Sequence, residues 1–321
     1  MDTVVQCVVQ PALLERPVVD LSYRLEEVSH NNRPLSRPGH FGVDIDGTFL
    51  CADVDVLAKN RRAFANALKA GYRVFFCTGE CSEIALSSLA GRPHVSSMAV
   101  LDDEFVRSTG YRGYPGIYHN GAVVYDHNGV VLRMCKFSEV FISEFCQYVI
   151  SRELQRSVVF CDMEDTYMLC DDSSQMTNIL ADVDVYTLPT LVDTADLARK
   201  NITLIIVGNG EIMTKQAHLQ CNVDYVMKEG SFGAWDVTPC TVTKAEGLNV
   251  LLANYNATGS DCGFIGNGTN DIEAMRLCHI SFAVGNAEPG VKEHAKYTLH
   301  ETNNSGAFHK TMELVYGVPC D

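Results

Sequence analysis

Short apolar runs alternate with amphipathic stretches along most of the chain, and their order predicts a fold. Phe41 to Asp46 begins as a buried strand and ends in carboxylates. Arg61 to Ala70 carries Phe64 and Leu68 at helical spacing and stops at Gly71. Tyr72 to Cys77 reads as a second strand ending at Thr78-Gly79, Ser82 to Leu89 as a helix, and Gly116 to Tyr118 as a short strand before Asn120-Gly121. Strand, helix, strand, helix, strand in this order predicts a parallel sheet with right-handed crossovers. Such sheets take ligands beyond the carboxyl ends of their strands, where Asp44, Asp46 and Thr78 fall.

The pattern changes further along. Ala122 to Leu132 reads as a hairpin turning at His127-Asn128-Gly129, and Glu139 to Glu153 as an amphipathic helix. Val158 to Asp162 and Thr166 to Cys170 form a strand pair, followed by a strand at Asn201 to Val207, a helix at Glu211 to Leu219 and a strand at Ser231 to Val237. This mixture predicts an α+β cap at residues 136–238, inserted into a Rossmann-like α/β core made of residues 40–135 and 239–321. The core resumes with a helix at Gly247 to Asn254, a strand at Cys262 to Ile265, a helix at Ile272 to Leu277 and a strand at Ser281 to Val284. Residues 1–39, interrupted by Pro11, Pro17, Pro34 and Pro38, read as an N-terminal extension. Within it Leu13 to Arg24 suits a short helix or strand in a dimer arm, a flap or, the preferred reading, a tail.

Composition narrows the function. Lys and Arg total 25 against 40 Asp and Glu, giving a net charge of −15. That field argues against nucleic acid or an anionic membrane as partner, and a small phosphorylated substrate would need a local cation. The 13 Cys are scattered without a C-x-x-C pair, which suits buried reduced thiols rather than disulfides or thiolate metal sites. No apolar run approaches the roughly 20 residues of a membrane span, and the first forty residues lack a basic, apolar leader. A cytoplasmic protein, monomer or homodimer, is the expectation.

Four short segments carry candidate chemistry. In Asp44-Ile45-Asp46-Gly47-Thr48, strand alternation points both carboxylates to one side. One suits attack on phosphorus and the other proton exchange with the leaving oxygen; two solvated aspartates are the plain alternative. Thr78-Gly79 offers a hydroxyl and a backbone N–H to a phosphate oxygen. Lys244 is a cation near the start of a helix, by itself indistinguishable from a surface lysine. Gly266-Asn267-Gly268-Thr269-Asn270-Asp271 follows a strand and opens a helix, with side-chain oxygens suited to a hard cation. Its spacing departs from G-x-G-x-x-G, since Asp271 stands where the third glycine belongs, so a dinucleotide loop is set aside.

Taken together and in order, these segments resemble the haloacid dehalogenase superfamily of phosphatases, Cof-type with a type IIB cap. The resemblance runs from Phe41 to the end of the chain. Asn120-Gly121-Ala122, Asp126-x-x-Gly129, and Ala283-Val284-Gly285-Asn286-Ala287 with Pro289 and Lys292 add to it. It implies a phosphomonoesterase acting on small metabolites, sugar phosphates first among them, through an aspartyl-phosphate. Asp44 would then be the nucleophile and Asp46 the general acid and base. Thr78, Gly79, Lys244 and Asn270 would hold the phosphoryl group, and Mg²⁺ would be bound by Asp44, Asp46, Asn267 and Asp271. Two departures stand out. The family's fourth motif usually begins Gly-Asp, where this chain has Asn267; one lost charge-assisted contact costs about 1.5–3 kcal/mol, or roughly ten- to a hundredfold in Mg²⁺ affinity. Glu80 replaces the usual Arg after Thr-Gly. A phosphomutase and a weakened pseudoenzyme that binds a phosphometabolite are the rivals. Asp162, Glu164, Tyr167 and Lys228 are candidate cap contacts to the leaving group.

Overall fold

The computed structural model describes residues 18–19, 37–79, 103–163, 165–170, 189–215, 218–229 and 234–320. The helix expected at Ser82 to Leu89, together with Glu80 and Glu164, lies outside them.

The strands, in chain order, are β1 Val18–Val19, β2 His40–Val43, β3 Arg73–Cys77, β4 Gly116–Tyr118, β5 Val123–Tyr125, β6 Val131–Met134, β7 Val158–Cys161, β8 Thr166–Met168, β9 Thr190–Leu191, β10 Leu204–Val207, β11 Tyr225–Glu229, β12 Trp235–Pro239, β13 Cys262–Gly266, β14 Ile280–Ala283 and β15 Tyr297–Leu299. They form two sheets. The larger has the order β1-β15-β14-β13-β2-β3-β4-β5-β6, parallel from β1 to β4 and antiparallel across the β4-β5-β6 meander. The smaller, β11-β12-β10-β7-β8-β9, is antiparallel except for its β8-β9 edge and arises wholly between β6 and β13. An α/β core carrying an inserted α+β unit is therefore the architecture.

Residues in β2, β13 and β14 are buried along their whole length, as strands covered on both faces must be. On one side of the large sheet, Phe49, Phe64, Phe76, Phe105 and Phe308 pack with ring centroids 4.8–6.4 Å apart, binding the helices Val54–Lys69, Asp103–Thr109 and Ala307–Tyr316 to the sheet.

The chain runs β2 to β4 in one direction across the sheet and returns by β13 to β15 in the other. The switch point therefore lies between β2 and β13, and ligand sites of open α/β sheets form at such crevices. Asp44 follows β2 and donates its N–H to the Ile265 carbonyl of β13 at 3.0 Å.

Several expected elements differ. The strand expected through Asp46 ends at Val43, because Ile45–Phe49 coils into a tight turn with Gly47 at φ 69°. Asp44 and Asp46 remain extended, at ψ 153° and 126°, so the two still alternate like strand residues. The first helix begins at Val54, not Arg61, capped by Asp53, whose Oδ1 accepts from the N–H groups of Asp55 and Val56. Val18–Val19 pairs in parallel with β15, so this part of the extension, expected as a tail, joins the sheet edge.

The helix Lys244–Asn254 is seated by a close backbone approach. A Cβ at Gly121, where φ is 102°, would lie 2.2 Å from the Thr243 carbonyl oxygen, and one at Gly247 would lie 3.0 Å from the Gly121 Cα. Gly121→Ala is expected to cost about 2–4 kcal/mol, combining left-handed strain with overpacking. Chemical denaturation measures it, and a loss below about 0.5 kcal/mol would contradict the tight seat.

Candidate active site

At the switch point a buried ammonium gathers two carboxylates. Lys244 is fully buried, and its Nζ donates to Asp44 Oδ1 at 2.6 Å and to Asp271 Oδ1 at 2.7 Å. Its position is set by Thr243, whose hydroxyl caps the helix by accepting from the Glu246 N–H. Asp271 Oδ2 accepts from the N–H groups of Asn267 and Gly268, both at 2.9 Å. This fold-back requires Gly266, where a Cβ would stand 2.4 Å from the Asp271 carboxylate. Asp271, expected among the metal ligands, therefore has both oxygens committed to the lysine and the loop.

Burial, and then the neighbouring Asp271 charge, push the Asp44 carboxyl up to about 7 against the pull of Lys244, with Asp46 adding a smaller push. Lys244 is held above its ordinary range because the attraction of Asp271 and Asp44 outweighs burial. The pair is thus a shared ionic unit, with the ammonium retained and Asp44 close to its protonation boundary.

The turn that follows Asp44 is pinned from several sides. Asn286 Nδ2 donates to the Gly47 carbonyl at 2.8 Å, Asn303 Nδ2 to the Leu50 carbonyl at 2.8 Å, and the buried Asn60 Nδ2 to the Phe49 carbonyl at 2.7 Å. Thr48 donates to Asp44 Oδ2 at 3.0 Å. Facing this turn is the Asn267 amide. With its nitrogen inward it donates toward Asp44 Oδ2 at 2.8 Å, the Asp46 carbonyl at 2.7 Å and Thr48 Oγ1 at 2.9 Å. With its oxygen inward the amide instead accepts from the Thr48 hydroxyl at 2.9 Å.

The same group of oxygens tests the expected divalent cation. With the Asn267 oxygen inward, Asp44 Oδ2, the Asp46 carbonyl and the amide oxygen would offer three hard ligands to one ion, so the donor set fits a Mg²⁺-like cation. Only one of the three, Asp44, carries charge. Among the described residues no group of three or more His, Cys, Asp or Glu converges to hold a metal.

Thr78 follows β3 and is buried, and its carbonyl accepts from the Asn120 N–H at 3.0 Å. Asn270 Nδ2 donates to Asn120 Oδ1 at 2.9 Å, and Asn120 Nδ2 donates to Asp236 Oδ2 at 2.8 Å. A Cβ at Gly79 would lie 2.8 Å from that same Asp236 oxygen. Asp236 belongs to β12 of the inserted sheet, so this carboxylate reaches the core from the other unit. Sequence reasoning missed it, because a lone acid on a mixed strand gives no signal. Burial pushes its carboxyl up to about 6 and Asp46 pushes the same way, against the Asn120 hydrogen bond and the Lys244 charge.

Further contacts close the insert over the core. His119 Nδ1 meets Thr203 Oγ1 at 2.6 Å, with burial pushing the imidazole down to about 3, and Lys228 Nζ reaches Glu273 Oε1 at 3.1 Å. Lys228, a candidate leaving-group contact for which a surface position is the plainer reading, thus bridges the two units. Tyr167 donates its hydroxyl to Asp162 Oδ2 at 2.8 Å, and Lys200 stands 4.6 Å over the Tyr167 ring.

The chain belongs to the haloacid dehalogenase-like hydrolases, whose family model matches residues 41–310. Its fold is shared by a HAD/COF-like hydrolase of Plasmodium vivax, with TM-score 0.76, 22% identity and coverage of 92% of this chain and 99% of that one. A HAD subclass IIB sugar phosphatase superposes with TM-score 0.66 at 16% identity, covering 85% and 97% of the two chains. In sequence, a phosphatase of Mycoplasma genitalium is 24% identical over 285 residues, 83% of this chain and 94% of that protein. A chloroplastic endoribonuclease of Arabidopsis thaliana is 20% identical over 252 residues, and the chain spans 42% of its length. Among the described residues no helix is long and apolar enough to cross a membrane.

Replacing Lys244 with Met strands Asp44 and Asp271 as neighbouring buried charges. A loss of about 3–5 kcal/mol in denaturant unfolding is expected, and an unchanged midpoint would show the three groups to be uncoupled. Asp236→Asn keeps an oxygen for Asn120 but removes the charge. Because the folded carboxyl titrates near 6 rather than 3.8, the wild type loses stability as pH rises through that interval. The variant should match wild type near pH 4 and exceed it above pH 7 by about 3 kcal/mol; parallel melting curves from pH 4 to 8 would refute the assignment.

Proposed function

We propose that this chain is a phosphomonoesterase for small phosphorylated metabolites, sugar phosphates being the favoured class, working through an aspartyl-phosphate at Asp44. The observation that carries the reading is Lys244 Nζ lying 2.6 Å from Asp44 Oδ1 at the carboxyl ends of the parallel strands. A buried ammonium there offsets the repulsion between an anionic nucleophile and a phosphate dianion. Thr78, the Gly79 N–H and Asn270, linked through Asn120, are proposed to receive the phosphoryl oxygens.

In the first step an Asp44 oxygen bonds to phosphorus while the ester P–O bond breaks. The leaving oxygen takes that electron pair and a proton from Asp46. In the second, Asp46 accepts a proton from water as the water oxygen bonds to phosphorus, and the bond between phosphorus and the Asp44 oxygen breaks, its electron pair returning to the Asp44 carboxylate as inorganic phosphate leaves. Asp44, the Asp46 carbonyl and Asn267 would hold Mg²⁺, which when bound supplies charge stabilisation to the phosphoryl oxygens. The inserted sheet serves as the lid that excludes bulk water, and Asp236 and Lys228 are among the polar groups it brings against the core. Scattered thiols without a disulfide among the described residues suit a cytoplasmic setting.

One observation favours a second reading, a phosphometabolite-binding protein with weakened turnover: the Asn267 amide in place of a carboxylate. The deciding assay follows phosphate release from an aryl phosphate and a sugar-phosphate panel with added Mg²⁺. Asp44→Asn is expected to lower kcat by at least about 10³-fold. Turnover unaffected by that change would reject the nucleophile, and an isomerised sugar phosphate as product would identify a phosphomutase instead.

A further inference from the structure

We propose that Asp236 is the specificity-determining residue of the lid: its carboxylate accepts a hydroxyl of the leaving group and turns away leaving groups that carry a second anion. The inference rests on the phosphomonoesterase reading above and narrows it, to monophosphates of uncharged polyols as against phosphorylated acids.

Strand alternation gives the inserted sheet two distinct faces. Ile205, Val207, Trp235 and Val237 pack against the lid's own helix, Glu139–Ser151. The opposite face carries Val159, Cys161, Met168, Leu204, Ile206 and Ala234, a separate apolar cluster. Across it Lys228 pairs with Asp236, Asp236 with Ile206 and Ile206 with Val159, so the four form one row. Along these strands Lys228 and Asp236 are the only charged residues on that face, and both reach the core. This face is therefore the roof over the site.

The two charges are not equally free. Lys228 gives its ammonium to Glu273 Oε1 at 3.1 Å, and Lys244 below is held by Asp44 and Asp271. Asp236 is half-buried and spends Oδ2 on the Asn120 amide at 2.8 Å, while its Oδ1 has no hydrogen-bond partner among the described residues. The carboxylate stands over Gly79, where a Cβ would lie 2.8 Å from Oδ2, and it feels the charges of both Asp46 and Lys244. The groups proposed to hold the phosphoryl oxygens all belong to the core. The leaving oxygen and the carbons behind it must then extend toward the roof, on the side of the proposed proton donor Asp46. There a hydroxyl donates to Oδ1, and C–H groups meet the apolar cluster. A leaving-group carboxylate instead meets Asp236 and Asp46, like charges with no unpaired cation on the facing strands to offset them.

Two matched pairs of phosphates test the assignment, each differing by oxidation of one carbon to a carboxylate: glycerol 3-phosphate against 3-phosphoglycerate, and glucose 6-phosphate against 6-phosphogluconate. The kcat/KM for phosphate release is measured on the full chain with Mg²⁺ at pH 8, where the Asp236 carboxyl, pushed up to about 6, is ionised. An aryl phosphate, which carries neither group, is the reference for each protein. The wild type should favour the uncharged member of each pair by at least about tenfold, and Asp236→Asn should shrink that preference roughly tenfold, the acids gaining on the reference. The amide keeps an oxygen for Asn120, so a purely structural role would move all substrates together and leave the ratio where it was. Asp236→Ser, read by the same ratio, takes its place should the amide variant not fold. A ratio untouched by the substitution, a wild type that favours the acids, or turnover of the aryl phosphate with neither pair would each overturn Asp236 as the selector and leave the Asp44→Asn assay standing. Phosphate release from none of these compounds would bring down the phosphatase reading as well.

Discussion

An ammonium group with no exposure to water is tolerated only when anionic partners replace its hydration, and Lys244 meets that condition through two carboxylates drawn from opposite arms of the sheet. Asp44 arrives on the turn after β2 and Asp271 on the turn after β13, while the lysine descends from a helix that begins just after the inserted unit. The three groups therefore tie together the two halves of the core at its switch point. Because the cluster carries two acidic groups for one cation, one carboxylate is always undercompensated. Burial, and then the neighbouring charge of Asp271, raise the Asp44 carboxyl, while the Asp271 oxygens serve the lysine and the loop.

Much of this organisation was legible along the chain, because parallel strands place their last residues in one crevice. The apolar runs at Phe41, Tyr72 and Cys262 mark strands, so the polar residues that end them had to meet. What pattern alone left open was the contribution of residues whose neighbours are set by tertiary packing. Lys244 looks like any helix-start lysine until the Gly121–Gly247 approach seats its helix against the sheet. Asp236 was invisible because the inserted sheet, and not local sequence, carries it to Asn120. The first helix was read seven residues short because Val54-Asp55-Val56 alternates like a strand, while the cap at Asp53 decides otherwise. The helix Ala307–Tyr316 went unread although Phe308, Met312 and Val315 keep a helical period and are all buried.

The role expected of Asp271 shows why residue type and spacing do not determine duty. An acid at the start of a helix, one residue after Asn270, suits a metal ligand as well as a lysine partner. The missing Cβ of Gly266 lets the carboxylate fold back over the loop and satisfy two backbone donors, a duty that the motif itself does not announce.

That same anchor changes what a substitution at position 267 means. If the loop were loose, replacing an acid by an amide would simply remove a charge, and the side chain would drift toward water. Held by Asp271, the amide is instead presented to three oxygens, Asp44 Oδ2, the Asp46 carbonyl and Thr48 Oγ1, and must answer them with donors or with a shared cation. An amide differs from a carboxylate in offering either face, donor or acceptor, without a change of shape. Whichever face the amide presents, Asp44 keeps its main electrostatic partner, because Lys244 is part of the fold itself.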